Sequence, residues 1–248
     1  MWARGPLCRV VKEPLTNNDT QTLVRLRGVT DEKTVKEIAE LAGGLPLAAG
    51  MSADLLRESG AARLELVGIT GHLNIVEQLV RKLTEEAPTD LRRWLEQCAI
   101  VRWFNQDTLE QFVGIAGNEV AEAYARLSRL SFVQPHPNGW ALHDLVRHFI
   151  CENLAKRSRR EYTELHRKAA DYYEALVSAV RRREAQQPLA VELVYHLLRA
   201  DEGEGIARLR ELFDNATDFS QVEFSAALLE TVDGLELGED NELWQTYC

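Results

Sequence analysis

Several features that would indicate a particular chemistry are missing from this sequence of 248 residues. Its four cysteines lie far apart and form no CxxC pair, so neither a zinc knuckle nor a disulfide framework is expected. No apolar run reaches the roughly 18 to 20 residues that cross a bilayer, and the N-terminus lacks the apolar centre of a signal peptide. We therefore expect a cytoplasmic protein without a membrane span, whose reduced cysteines are Cys8, Cys98, Cys151 and Cys248.

Motifs for catalysis and metal binding are also absent from the sequence. It contains no GxxxxGK[ST] loop to hold nucleotide phosphates and no apolar strand ending in paired acids to hold magnesium. The histidines fall in no ligand spacing such as HExxH. We therefore expect no enzyme, no catalytic residue, no metal site and no cofactor bound by this chain alone. The six histidines are His72, His136, His143, His148, His166 and His196.

Basic residues are scarce toward the C-terminus. From Gln186 onward there are three basic and fourteen acidic residues, so the net charge of -10 arises in this part of the chain. Such a surface does not favour nucleic acid. The basic runs KRSRR at 156–160 and RRR at 181–183 are interpreted as solvated helix ends.

Helical periodicity is what the sequence has in abundance. A first helix follows Thr16 as its cap and stops at Gly28, and a second begins near Thr30. The stretch LAGGLPLAAG at 41–50 then places two glycines and a proline between helices. Glycine permits a left-handed turn and Pro46 suits a first helical turn, so this stretch predicts a rigid corner.

The segment from Leu91 to Leu154 has a different order of elements. Helical patterns lead to SFVQPHPNGWALHD, in which two short apolar runs flank a turn of proline, asparagine and glycine. This pattern indicates a β-hairpin, closed at once by a helix from Leu145 to Leu154. Helices followed by a hairpin predict a winged-helix domain. Beyond Arg157 the pattern is helical throughout and is similar to the paired helices of an α-solenoid, without a strict repeat.

Two motifs in this order resemble those of the STAND-class signalling ATPases, which include the NB-ARC proteins. GGLPLA is similar to their GLPL segment. ALHDLVRHFI, after the hairpin, is similar to their MHD motif, with Leu142 in place of methionine and His143 and Asp144 retained. The resemblance covers residues 8–155 well and the helical tail loosely.

The resemblance implies site residues and a cofactor. It places Pro46 near the adenine of a bound nucleotide and His143 near the β-phosphate of ADP, and it assigns Gly44 and Leu45, which precede Pro46, to the same nucleotide-binding site. ADP or ATP would be bound only in a complete relative, by a P-loop core expected upstream of this chain. We further expect Asp144 to cap the helix that it begins.

The predicted fold is mainly α, in four parts. Residues 1–15 are a remnant of the nucleotide-binding core strand, and 16–87 are an accessory helical domain. Residues 88–156 are a winged-helix domain, and 157–248 are a helical, tetratricopeptide-like region. The expected function is a latch for the nucleotide state in signal transduction, with protein partners or self-association through the helical region.

Two other functions remain open on sequence grounds. A winged helix is also found in DNA-binding transcription regulators, where NEVAEAYARLSRL would enter the major groove and the other helices would form an effector domain. From Thr89 to Asn153, however, six basic residues face eight acidic ones, which gives no positive footprint for phosphate. The third possibility is a helical interaction scaffold.

Overall fold

The structure, a computed structural model, describes residues 13–60, 72–219 and 221–232. These residues are mainly helical with a small antiparallel sheet, which confirms the predicted fold class at that level. Most of the predicted core-strand remnant, residues 1–12, and both Cys8 and Cys248 lie outside the described residues. The helices are α1 Asn17–Leu26, α2 Glu32–Ala42, α3 Pro46–Ser59, α4 His72–Glu86, α5 Thr89–Ile100, α6 Gln106–Thr108, α7 Asn118–Ser128, α8 Asp144–Arg157, α9 Arg159–Ala179, α10 Arg183–Ala200, α11 Glu202–Asp218 and α12 Val222–Leu229; the strands are β1 Val133–His136 and β2 Gly139–Leu142.

The first helices begin where capping residues allow. The Thr16 hydroxyl accepts a hydrogen bond from the backbone N–H of Asp19, as the sequence predicts, and Asp31 caps α2 in the same way through Thr34. At the end of α2 the backbone turns left-handed at Gly43, with φ of 54°. The predicted corner between α2 and α3 is therefore confirmed.

Gly44 has a second reason to be glycine. The segment before α1 crosses this corner, and the Leu15 N–H donates to the Gly44 carbonyl at 2.9 Å. A Cβ atom at Gly44 would lie 2.6 Å from the Leu15 carbonyl oxygen, and the φ of +82° is one that L-residues rarely adopt. The corner is thus fixed both by its own conformation and by the chain that packs over it.

The middle of the chain folds as helices followed by a hairpin. α5 leads into α6, and a π-helical turn at Leu109–Val113 continues α6 before α7. β1 and β2 pair antiparallel, with Val133 opposite Leu142, and Phe104 forms an isolated bridge to Trp140 on the outer side of β2. α8 begins directly after β2 and packs on α4 and α5.

One cluster of buried side chains runs from α1 to α10, and α9 and α10 pack along each other. A smaller cluster joins α10 to α11 and α12 through Val194, Leu209 and Leu228. α10 begins at Arg183 and contains Pro188 within the helix. Gln186 holds its first turn to the end of α9, because its side-chain amide donates to the Val180 carbonyl at 2.6 Å.

Candidate functional site

The three residues of the GLPL corner that were predicted to bind nucleotide lie at the start of α3. Gly44 is buried, Leu45 is half-buried and Pro46 is exposed as the first residue of the helix. Leu45 occupies the N-cap position, where its side chain supplies no hydrogen-bond acceptor. The first N–H groups of α3 are thus not satisfied by a side-chain cap at this position, which is the arrangement that leaves a helix start able to bind a polar group.

His143 lies at the junction of β2 and α8. Its backbone N–H donates to the Phe132 carbonyl at 2.7 Å, and its ring Nδ1 accepts from the backbone N–H of Leu145 at 3.3 Å. Because Nδ1 must present a lone pair to this N–H, the neutral ring carries its proton on Nε2. The half-buried ring therefore has one nitrogen committed to the helix and the other available as a donor.

The predicted cap of α8 was wrong by one residue. His143 is the N-cap, and Asp144 is the first residue of the helix, exposed to solvent. The cap must be the last residue with extended backbone, and His143 has that conformation, with ψ of 132°. Asp144 still contributes a negative charge to the first turn, which the helix dipole favours.

The structure does not join the two predicted parts of the site to each other. Over residues 13–60, 72–219 and 221–232, no hydrogen bond or ion pair connects His143 with Gly44, Leu45 or Pro46. Among the described residues, the hydrogen bonds of His143 go to Phe132, just before β1, and to the first turn of α8, whereas the corner bonds to Leu15. The link between the two motifs is α3, which begins at the corner and whose end contacts α7 through Glu58 and Arg126.

That contact is made by Asp54, which sequence reasoning missed. Its side chain is fully buried in α3, and one carboxylate oxygen accepts from the Ser131 N–H at 2.6 Å. The other oxygen lies 3.0 Å from a guanidinium nitrogen of Arg57 and 3.9 Å from one of Arg27. The Arg57 pair is an ion pair without hydrogen-bond geometry, since Oδ1 has no hydrogen-bond partner among the described residues. We call Asp54 and its three partners the α3 clasp.

Neighbouring contacts reinforce the α3 clasp. A Cβ atom at Gly50 would lie 2.6 Å from the Ser131 Cβ, so α3 approaches this loop as closely as glycine allows. At the end of α3, Glu58 accepts from Arg126 of α7 at 2.9 Å, and Arg126 also pairs with Asp90 of α5. α3 is therefore bound to both α5 and α7 as well as to the loop before β1.

A second buried polar group joins α9 and α10. The rings of His166 and His196 are 1% and 0% exposed, and their Nδ1 atoms lie 2.9 Å apart. Burial, followed by the charges of nearby arginines, lowers the pKa of His166 to about 3, and burial also lowers that of His196. Both rings are therefore neutral, and one Nδ1 donates to the other. Tyr173 stacks on His196 at 5.4 Å.

The described cysteines and acids form neither an activated thiolate nor a group of metal ligands. Burial raises the pKa of the Cys98 thiol, and it raises that of Cys151 to about 11, so neither is a ready thiolate. In the part of the chain that the structure describes, no group of three or more histidine, cysteine or acidic side chains is placed to hold a metal ion.

Within the same residues, no helix combines the length and the apolar character needed to cross a membrane. The geometry thus offers a ring N–H donor at His143, a helix start at Pro46, and the α3 clasp between α3 and the loop before β1. Comparison of the chain with protein-family models and with curated proteins finds no match.

Proposed function

We propose that this chain is the non-catalytic portion of a STAND-type, nucleotide-regulated signalling ATPase. It acts as a latch that reports whether ADP or ATP is bound, and as a module for protein partners or self-association in the cytoplasm. The observation that carries this proposal is where the two motifs lie. The GLPL corner begins α3, and the His-Asp pair begins the helix that closes a hairpin.

The middle of the chain supports the winged-helix assignment. Its order is helix, bridge residue, short helix, helix, hairpin and closing helix. Phe104 pairs with Trp140, so it adds a third, one-residue strand to the hairpin. A small sheet packed against three helices is the arrangement expected of a winged helix. Helices α9 to α12, which pack in sequence, fit the start of a tetratricopeptide-like scaffold.

The chemistry of His143 fits a phosphate sensor. Its Nδ1 is fixed by the N–H of Leu145, which directs the Nε2 proton away from the helix start. A phosphate oxygen can accept that proton in a charge-assisted hydrogen bond. Exchange of ADP for ATP would alter this contact and release the winged helix from the nucleotide core.

The α3 clasp links α3 to the proposed winged helix, so these two parts would move together. Asp54 binds Ser131 across the boundary between the helical domain and the proposed winged helix. Arg126 continues this contact to Glu58 and Asp90. The corner and the winged helix therefore belong to one unit, and the latch motion takes place between this unit and the nucleotide core.

DNA binding is disfavoured by the same contacts. α7 is the helix that would enter the major groove, yet the guanidinium of its Arg126 is already held by two carboxylates of the protein. The surrounding segment is close to neutral, with more acids than bases. A gel-shift assay at moderate salt separates these functions: micromolar, salt-sensitive binding of duplex DNA would favour the transcription regulator.

The latch is tested by joining this chain behind a P-loop core of the same class and measuring ADP release. His143→Ala should speed ADP release about tenfold, since one charge-assisted hydrogen bond to phosphate is lost. Asp144→Asn is the matched control, because it is adjacent and exposed, and it should leave release unchanged. Equal release from wild type and His143→Ala would contradict the latch. The chain by itself should hydrolyse neither ATP nor GTP above a mock purification.

A further inference from the structure

A cleft of about 770 Å³ opens between α8, α9 and α10, and its lining begins at Arg147, one helical turn after His143. This volume is typical of sites for small ligands. Each of the three helices contributes one arginine to its lining, and two tyrosine rings form part of its wall. The residues used below are Arg147, Arg159, Arg199, Tyr162 and Tyr195.

The three arginines converge although they are distant in the sequence. All three guanidinium groups contribute, after burial itself, to the lowered pKa of His166, which lies beneath the cleft. Arg147 donates to the Tyr195 hydroxyl at 3.3 Å, and Arg199 lies 3.6 Å from the centre of the Tyr195 ring. Arg159 lies over the Tyr162 ring at 5.3 Å.

Arginines outside the cleft are matched by buried carboxylates. Arg102 pairs with Glu192 at 2.7 Å, and Arg157 pairs with Glu96 at 2.6 Å. For Arg147 and Arg159, in contrast, no carboxylate oxygen of the described residues lies within 4.0 Å. Arg147 and Arg159 therefore face a hydroxyl and an aromatic ring, whereas Arg102 and Arg157 face acids.

Acids at the rim do not cancel this charge in full. Glu152 lines the cleft but pairs with Lys156 one helical turn away, at 2.6 Å. Glu202 lies at the rim, at the start of α11. Burial lowers the pKa of Arg199; Tyr195 and Tyr162 oppose this shift, and the neighbouring Arg147 adds to it.

We propose that this cleft binds a small phosphorylated ligand, with its phosphate held by Arg147, Arg159 and Arg199. Guanidinium groups bind phosphate through paired, parallel hydrogen bonds, and three of them match its oxygens. The Tyr195 hydroxyl accepts from Arg147, so its own hydrogen is free to donate to the same anion. The tyrosine rings contact the organic part of the ligand. This site does not depend on the proposed latch.

The negative net charge of the protein disfavours nonspecific binding of anions. At a net charge of -10 the molecule as a whole repels anions, so binding has to come from a local site. The test is a titration followed by the ³¹P resonance of the ligand at physiological salt, with inorganic phosphate in one arm and phenyl phosphate in the other. Saturable binding is expected in both arms. Tighter binding of phenyl phosphate supports contact with the tyrosine rings, and equal binding supports recognition of the phosphate alone.

Variants locate the binding. Arg159→Gln, at an exposed position, should weaken affinity about tenfold, as should Arg147→Gln if the half-buried variant folds. Arg160→Gln is the matched control: it is the next residue, 88% exposed, and its partner is Glu164 outside the cleft. It should change affinity by less than about twofold. No saturable binding, or an unchanged affinity in Arg159→Gln, would overturn the proposal.

Discussion

The two junctions of this molecule bury polar groups in opposite ways. At the first, Asp54 of α3 is a buried acid that meets two arginines and a backbone N–H. At the second, between α9 and α10, the buried groups are two neutral imidazoles, and arginines gather around them without a matching number of acids. At the first junction the charge of Asp54 is balanced by arginines of the protein itself, so its role is structural.

At the second junction, Arg147 and Arg159 line a cleft and have no carboxylate oxygen of the described residues within 4.0 Å. Protein interiors tolerate a charge when it is paired, and otherwise the group is neutral or meets a ligand. His166 and His196 take the first course by staying neutral. The arginines cannot lose their protons, so a bound anion is the natural complement. The comparison thus distinguishes the α3 clasp, which stabilises the fold, from the arginine cleft, which is suited to bind an anion.

The largest effect is expected at the α3 clasp. Asp54→Ala should lower the free energy of unfolding by about 3 kcal/mol, because it removes the partner of Arg57 and leaves the Ser131 N–H buried without an acceptor. Urea unfolding measures the change. Asp54→Asn, which keeps an oxygen for Ser131, should lose less.

Glu32→Ala is the matched surface control. Its carboxylate pairs with Arg25 at 2.7 Å, but both side chains are well exposed, so Glu32→Ala should change the free energy of unfolding far less than Asp54→Ala does. If Asp54→Ala costs no more than this control, the first junction is not held by its charges.

The close approach at Gly50 is expected to have the next largest effect. Gly50→Ala should destabilise the protein by about 2 kcal/mol, since the new methyl group would lie 2.6 Å from the Ser131 Cβ. Ser131→Gly removes that obstacle, so the double variant should be more stable than the sum of the single changes by about 1 kcal/mol. Additive effects in this double-mutant cycle would mean that the loop before β1 moves aside freely.

The histidine pair predicts a pH effect at the second junction. The pKa of His166 is about 3 in the folded protein and near 6.5 when unfolded, so the unfolded chain binds more protons between these values. Stability is therefore complete above about pH 6.5 and falls as the pH is lowered. For His166 the loss is about 1.4 kcal/mol per pH unit. Urea unfolding at pH 7.5, 6.5 and 5.5, in steps of about one unit, measures this loss of stability.

A double variant isolates this contribution. His166→Gln with His196→Gln keeps one donor and one acceptor across the pair but cannot titrate, so the loss between pH 6.5 and 5.5, roughly one unit, should largely disappear. His148→Gln, at an exposed position, should leave the pH dependence as it is in the wild type. A slope that persists in the double variant would assign the effect to other groups.

The sequence predicted what depends on neighbours along the chain. Thr16, Gly43 and Pro46 act through local backbone geometry, so the α1 cap and the α2–α3 corner were found correctly. It did not predict the α3 clasp, because Arg27 and Ser131 reach Asp54 only through the fold; Arg57 alone is a local partner, one turn further along α3. A signal was present, since α3 buries every residue from Ala48 to Leu55, and an acid in such a run requires a partner.

His166 was overlooked for a similar reason. It lies one helical turn after Tyr162 and two turns before Tyr173, on the buried face of α9. Its pairing with His196, however, depends on how α9 packs on α10, which no spacing within one helix reveals. The arginine cleft likewise combines residues from three helices.

The smallest effect concerns the start of α8 and the order of two neighbouring residues. The structure makes His143 the cap, so His143→Ala should cost about 1 kcal/mol, because the N–H of Leu145 loses its acceptor. Asp144→Ala should cost less, about 0.3 kcal/mol, since an exposed first-turn acid acts only through the helix dipole. His143→Asn supplies another good cap and should restore most of the loss while removing the imidazole donor. Urea unfolding of the three variants at pH 7.5, roughly one unit above the ordinary histidine pKa, tests the order. A larger cost for Asp144→Ala than for His143→Ala would return the cap to Asp144 and free Nδ1 of His143, and the assignment of Nε2 as the phosphate-facing donor would then lose its basis.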